Sequence, residues 1–378
     1  MGLPESCKLD LHSKLPHGQR NLISDVPGVR VGHATIDEGD VHTGVTVVLP
    51  HEGNLFREKV MAGAAVINGF GKSMGLVQVE ELGTIETPIL LTNTLSIGTA
   101  CEALTRYMLE QNPDIGVFTG TVNCVVTECN DGRLNDIRGM HVKEAHVREA
   151  LAAASDDFEE GAVGGGTGMV CMGLKGGIGS ASRVVKADGR EYTVGALVMS
   201  NFGEPGNLVI GGRHYDTRPE RDISGQEEKE NEDTGSNMDL ENTGGRREEI
   251  RTCKEDDRKD KGSIIMILAT DIPLNERQLK RVAKRSMIAL GRTGSYSGNG
   301  SGDIAVAFTT ANRLKHYSRH CILDTKMFYD EEIDRVFQAA VEAVEEAIVS
   351  SLYHAKSMTG IRGNRVLGLQ DFMEKYGM

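Results

Sequence analysis

Apolar residues recur along this chain in two rhythms. Runs rich in β-branched side chains mark strands: GVTVVLP (44 to 50), AAVING (64 to 69), PILLTN (88 to 93), NCVVTEC (123 to 129), YTVGALVMSNFG (192 to 203), SIIMILATD (263 to 271) and IAVAFTT (304 to 310). A helical rhythm is clearest from Asp330 to Leu352, where Ile333, Val336, Phe337, Ala340, Val341, Val344 and Ile348 fall on one face. Asn275 to Leu290 reads as a second helix, with Asn275 and Gln278 spaced as a capping box. His141 to Ala154 and Thr94 to Asn112 complete a set of at least four. Strands and helices alternate, which predicts a mixed α/β chain whose buried sheets are covered by helices.

Two segments break the pattern. From Thr217 to Gly262 the chain is charged and polar with hardly an apolar residue, so it cannot bury enough surface to offset its ordering entropy. It is expected to be a disordered, solvated loop. The segment GAVGGGTGMVCMGLKGGIGSASR (161 to 183) is glycine-dense but interleaved with apolar residues, and predicts tightly turning backbone inside the fold. It contains no GxxxxGK[ST] phosphate loop.

Composition narrows the function. The 378 residues include no Trp and only 4% aromatics, so the core must be built of Val, Ile, Leu, Ala and Met against abundant Gly. A formal charge of −13 disfavours nucleic acid and anionic membrane as partners and leaves small molecules or peptides. Seven scattered cysteines without a C-x-x-C pair, and a charged start where a signal peptide needs an apolar run, point to a reducing, cytoplasmic setting. The eleven histidines form no metal-ligand set, and neither a metal nor a cofactor is expected.

The chemistry concentrates at Gly262 and Ser263, where charged RKDKG leads directly into an apolar strand opened by a hydroxyl residue. Cleavage between them would make Ser263 an N-terminus with a nucleophilic hydroxyl and an α-amine of pKa about 8, able to act as a base. As a bare dipeptide Gly-Ser describes a loop–strand junction. Downstream, Ser301 and Asp303 stand two apart at the lip of the strand IAVAF, on one face by the period of two. They suit either a polarising pair for the nucleophile or a turn that caps the strand.

With these residues the sequence resembles the self-processing L-aminopeptidase/D-amidase/D-esterase (DmpA) family, which includes the β-aminopeptidases. The resemblance is carried by DVPGVRVGHATI (25 to 36), TGVTVVLP (43 to 50), AAVINGFGKSMGL (64 to 76), PILLTNTLSIGTA (88 to 100), ECNDGRLNDIRG (128 to 139), the glycine-dense segment, GALVMSNFG (195 to 203), the Gly262-Ser263 junction and GNGSGDIAVAF (298 to 308). It implies a four-layered α/β/β/α sandwich, similar to N-terminal nucleophile hydrolases but differently connected. It also implies a precursor cut before Ser263 into an α chain (1–262) and a β chain (263–378) that stay together as one compact domain. By the same match Ser263 is the nucleophile, Asn201 the side-chain oxyanion donor, and Ser301 and Asp303 the assisting Ser and carboxylate. Some members have Glu at the position of Asp303.

Glu128, Asn130 and Asp131 form an acidic patch suited to a substrate's ammonium group, although strand-end turns have the same composition. A family Tyr would align near Asn130, so a substrate-orienting phenol is missing. The function implied is release of N-terminal residues from small peptides, amides or esters through an acyl-enzyme, by a homo-oligomer, often of four precursor equivalents. Two alternatives stand beside it: an acyltransferase of the ornithine acetyltransferase type, and a non-catalytic binding or assembly protein of the same fold.

Overall fold

Along Ser263–Thr270 every residue is buried, and alternate side chains enter different cores. Ile264, Met266 and Leu268 join one apolar cluster, whereas Ile265, Ile267 and Ala269 join another. A strand buried on both faces needs a layer on each side. The computed structural model, which describes residues 9–218 and 262–377, shows what those layers are.

In chain order the strands are β1 (Arg30–Glu38), β2 (Val41–Leu49), β3 (Glu58–Gly69), β4 (Thr84–Ile85), β5 (Ile89–Asn93), β6 (Val125–Cys129), β7 (Val170–Cys171), β8 (Leu174–Lys175), β9 (Gly177–Ala187), β10 (Arg190–Asn201), β11 (Leu208–Ile210), β12 (Arg213–Tyr215), β13 (Ser263–Thr270) and β14 (Gly302–Lys315). The helices are α1 (Leu76–Leu82), α2 (Ile97–Gln111), α3 (Glu144–Ala152), α4 (Glu276–Arg292) and α5 (Asp334–His354). A four-stranded sheet has the order β1-β2-β5-β6, and a six-stranded sheet the order β4-β3-β14-β13-β10-β9.

Three cores separate four layers. Val45, Val47, Leu90 and Val126 of the smaller sheet pack with Leu104 of α2 and Val147 of α3. The opposite face of that sheet, with Val31, Val48, Leu91 and Val125, meets Val60, Leu197, Ile265 and Val306 of the larger sheet. The outer face of the larger sheet packs on Leu279 and Val282 of α4 and on Val336, Val344 and Ile348 of α5. This is the α/β/β/α sandwich expected from the sequence.

Strands β13 and β14 run parallel to each other in the middle of the larger sheet. Their other neighbours, β10 and β3, both precede Gly262 in the chain. The two sides of the Gly262-Ser263 junction are therefore interleaved in one hydrogen-bonded sheet.

The predicted strands and helices are present, with ends moved by a few residues. Asn275 and Gln278 form the expected capping box: the Gln278 N–H donates to Asn275 Oδ1 at 2.9 Å and the Asn275 N–H to Gln278 Oε1 at 3.1 Å. The sequence reading missed β1 and misread β9, where regular strand replaces the expected turning backbone. Strand β9 is built of Gly, Ser and Ala because α5 lies against it. A Cβ on Gly179 would sit 2.0 Å from the Ala347 carbonyl oxygen and 2.5 Å from the Ser351 nitrogen.

Replacing Gly179 by Ala is thus expected to push α5 off the sheet and destabilise the fold by about 1–3 kcal/mol, the usual cost of overpacking. Thermal melting checks this, and an unchanged Tm would contradict the close approach. The expected disordered stretch does not begin at Thr217, which is buried and bridges the Met172 carbonyl and the Gly206 N–H. Arg218 pairs with Asp216. The rest of that stretch, 219–261, lies outside the described residues. Among the described residues no helix is long and apolar enough to cross a membrane.

Candidate active site

Three neighbouring strands of the larger sheet bring their ends together. Strand β13 begins at Ser263, which pairs with Asn201 at the end of β10 on one side and with Gly302 at the start of β14 on the other. One hydroxyl and one carboxamide thus meet across adjacent strands, because the antiparallel register sets the end of one against the start of the next.

Ser263 is 5% exposed, and its Oγ donates to the Gly262 carbonyl oxygen at 2.7 Å. That oxygen also accepts the backbone N–H of Gly302 at 3.2 Å. The carbonyl just before Ser263 is therefore held by a backbone donor of β14 with the Ser263 hydroxyl beside it. Gly262 has no room for a side chain, since a Cβ there would lie 2.1 Å from the Asn201 carbonyl oxygen and 2.5 Å from the Phe202 Cα.

Ser301 and Asp303 are both fully buried, and Ser301 Oγ donates to Asp303 Oδ1 at 2.5 Å. Such a short bond to a carboxylate fixes the hydroxyl and raises the electron density on its oxygen. The pair is fastened from β3, where the register skips Ile67: Asp303 faces Asn68 and Ile304 faces Val66. Bulges next to functional sites re-aim side chains. Here the Asn68 carboxamide donates to the carbonyls of Ser301 and, at 2.9 Å, Gly298. Asn68 and the Gly302 N–H escaped the sequence reading, although both lie inside the quoted motifs.

Asn201 is 7% exposed; its Oδ1 accepts the Val170 N–H at 2.9 Å and its Nδ2 donates to the Asn130 carbonyl at 3.0 Å. These two bonds fix which end of the carboxamide is the donor. Asn130 contributes its backbone here, while its side chain accepts the Gly132 N–H at 3.0 Å in a turn.

The smaller sheet contributes Glu128 from β6. Its Oε1 accepts the Lys72 N–H at 2.7 Å, and its Oε2 accepts from the Thr94 hydroxyl. Gly71 separates this carboxylate from β14: a Cβ on Gly71 would be 3.5 Å from Glu128 Oε1 and 3.6 Å from the Gly302 Cα. The charges of Glu128, Asp303 and Asp131 all act on the buried Cys129 thiol, whose pKa is pushed well above its ordinary value, mainly by burial.

Asp131 lies in the interior. It is fully buried, its Oδ1 accepts from Asn135 Nδ2 at 3.0 Å, and burial raises its pKa to about 6. The opposing influences are hydrogen bonds from Thr43 and Asn135 and the charge of Lys175.

Among the described residues no group of three His, Cys, Asp or Glu side chains is arranged to hold a metal ion. A cavity of about 690 Å³ lies elsewhere, lined by Asp37, Phe158, Glu159, His354, Lys356 and Met358 among others, and contains none of the residues above. The arrangement capable of chemistry is the one at the strand ends, where the Ser263 hydroxyl and the Gly302 N–H meet the Gly262 carbonyl oxygen, with Asn201 and the Ser301–Asp303 pair at the ends of the two neighbouring strands.

Comparison with known proteins shows the family and the fold. Residues 21–366 match the model of peptidase family S58. The chain is 38% identical over 356 residues to the β-peptidyl aminopeptidase BapA of Sphingosinicella microcystinivorans, covering 92% of this chain and 84% of that protein. Among solved structures, the PH0078 protein from Pyrococcus horikoshii OT3 superposes with a TM-score of 0.82 at 50% identity over 98% of each chain. The L-aminopeptidase D-Ala-esterase/amidase of Ochrobactrum anthropi superposes with a TM-score of 0.80 at 36% identity, over 98% of this chain and 97% of its own. That protein is described as a prototype of the serine aminopeptidases and a variant of the Ntn hydrolase fold.

Proposed function

Since the chain belongs to peptidase family S58 and is an aminopeptidase and amidase of that family, we propose that it cuts itself between Gly262 and Ser263 and then works through Ser263 as an N-terminal nucleophile. The observation that carries this reading is the Gly262 carbonyl, held by the Gly302 N–H with the Ser263 hydroxyl 2.7 Å from its oxygen. In processing, Ser263 Oγ attacks the Gly262 carbonyl carbon. The Gly262–Ser263 C–N bond breaks, the nitrogen takes up a proton, and an ester joins Gly262 to the Ser263 oxygen. Water then hydrolyses the ester, leaving the Gly262 carboxylate and the Ser263 amine with a free hydroxyl.

Turnover repeats the first half on a substrate. The Ser263 amine or Ser301 takes the hydroxyl proton as Oγ adds to the substrate carbonyl, and Asp303 holds Ser301. Asn201 Nδ2 and the Gly302 N–H stabilise the oxyanion. The amine or alcohol leaves, and water hydrolyses the acyl ester on Ser263. No cofactor enters these steps. The cut α chain (1–262) and β chain (263–378) stay together as one domain, a reading supported by β13 and β14 lying between β3 and β10. Assembly of processed protomers into a homo-oligomer, possessing four such units in the family pattern, belongs to the same reading.

Substrates are small peptides, amides or esters with a free amino group. Glu128 is the residue suited to hold that ammonium, because its carboxylate lies across Gly71 from the oxyanion donor at Gly302. Replacing Glu128 by Gln is expected to raise KM on the order of 10- to 100-fold, the worth of a charge-assisted hydrogen bond of roughly 1.5–3 kcal/mol, with a smaller change in kcat. Steady-state hydrolysis of an aminoacyl anilide checks it, and an unchanged KM would remove Glu128 from the site. Hydrolysis of such anilides against acyl transfer from N-acetylornithine tests the reaction type; transfer without hydrolysis would overturn the peptidase reading.

A further inference from the structure

One fully buried lysine has no part in that chemistry, and burial lowers its pKa to about 7 against the opposing charges of Asp37 and Asp131. Lys175, in β8, has no exposed surface, and its Nζ donates to the carbonyls of Gly176 at 2.7 Å, Met169 at 2.9 Å and Gly166 at 3.3 Å. Three carbonyls match the three donors of an ammonium group. Burying a charge is unfavourable unless the site satisfies it, so a lysine held in this way has a specific local consequence.

The consequence runs through a single peptide unit. The carbonyl of Met169 accepts from Lys175, and the N–H on the other side of the same Met169–Val170 bond donates to Asn201 Oδ1 at 2.9 Å. Gly176, whose carbonyl is the nearest acceptor of the ammonium, donates its own N–H to Met169 O at 3.0 Å and packs so closely on β10 that a Cβ would lie 2.3 Å from the Ser200 carbonyl oxygen. Lys175 therefore ties down both the peptide that receives Asn201 and the turn that abuts the residue before it. A positive charge on the carbonyl side of a peptide also makes its N–H a stronger donor.

We propose that Lys175 is a positioning residue: through the Met169–Val170 peptide it holds the Asn201 carboxamide with its N–H end toward the oxyanion. The proposal rests on Asn201 being the side-chain oxyanion donor. Its test is a double-mutant cycle on the processed enzyme, with kcat and KM measured on one aminoacyl anilide for wild type, K175M, N201A and K175M/N201A. K175M is expected to lower kcat on the order of 10- to 100-fold, as small misplacements of catalytic groups do, with KM within about twofold because ground-state binding is untouched. N201A is expected to lower kcat about 10²- to 10³-fold. In the N201A background, loss of the lysine should bring no further decrease.

K175Q keeps two N–H donors without the charge and should fall between wild type and K175M; it carries the same cycle if K175M does not fold. A K175M or K175Q enzyme as fast as wild type would overturn the proposal. So would a loss that repeats in full in the N201A background, since the lysine would then act on the fold at large and not through Asn201. An N201A enzyme as fast as wild type would instead remove the oxyanion reading, and the proposal with it.

Discussion

Ser263→Ala is expected to remain one uncut chain and to hydrolyse no aminoacyl amide. Both losses have the same origin, because one oxygen attacks the Gly262 carbonyl during processing and the substrate carbonyl during turnover. In the folded chain Ser263 Oγ and the Gly302 N–H both donate to the Gly262 oxygen. Removing the nucleophile of a serine hydrolase costs on the order of 10⁶ in kcat, so residual turnover should fall below detection. The substitution removes a single oxygen at the start of a strand otherwise held by Ile264 to Thr270 on both sides, so the fold should survive. Intact mass and an anilide assay read the two losses together. Cleavage at the same bond, or turnover near the wild-type rate, would show that another group is the nucleophile.

Asp303→Asn is expected to lower kcat about 10²- to 10⁴-fold, the range for a lost proton-transfer group, while KM changes little. The carboxylate accepts the Ser301 hydroxyl at 2.5 Å in a fully buried setting, where a charged acceptor is worth most. An amide in its place is a weaker acceptor and brings a donor that competes for the same hydroxyl. Processing should slow for the same reason, so kinetics are taken on the processed fraction. Asp303→Glu should keep most of the activity, since the resemblance to family members with Glu at this position implies that the longer acid is tolerated. If Asp303→Asn matched wild type, the Ser301–Asp303 pair would be a strand cap and not part of the chemistry.

What the sequence made legible follows the strength of its physical signals. The buried strands around Ser263 and Ile304 announce themselves because β-branched runs have few other uses, and α5 because its apolar positions repeat at helical spacing. The four layers follow once both faces of β13 must be covered. Strand β9 stayed hidden because the closeness of α5 demands Gly, Ser and Ala, and those residues carry no strand preference of their own. Ser301 and Asp303 were readable as two side chains on one face from their spacing of two at a strand start, but that spacing suits a strand cap as well, and their bond to each other shows only in the fold. The burial of Asp131 was not readable, because a turn of Asn, Asp and Gly does not say which side of the strand end it faces. Lys175 lies in the glycine-dense segment, which reads as tight backbone, and the burial of its ammonium shows only once three carbonyls are seen around it.

Whether Ser263 becomes a chain terminus is read most directly from the intact mass of the purified wild-type protein under denaturing conditions. Two chains are expected, one ending at Gly262 and one beginning with Ser263, whose masses sum to the 40.9 kDa precursor plus one water. A single full-length chain in a preparation that hydrolyses aminoacyl amides would contradict it, as would a cut at any other bond.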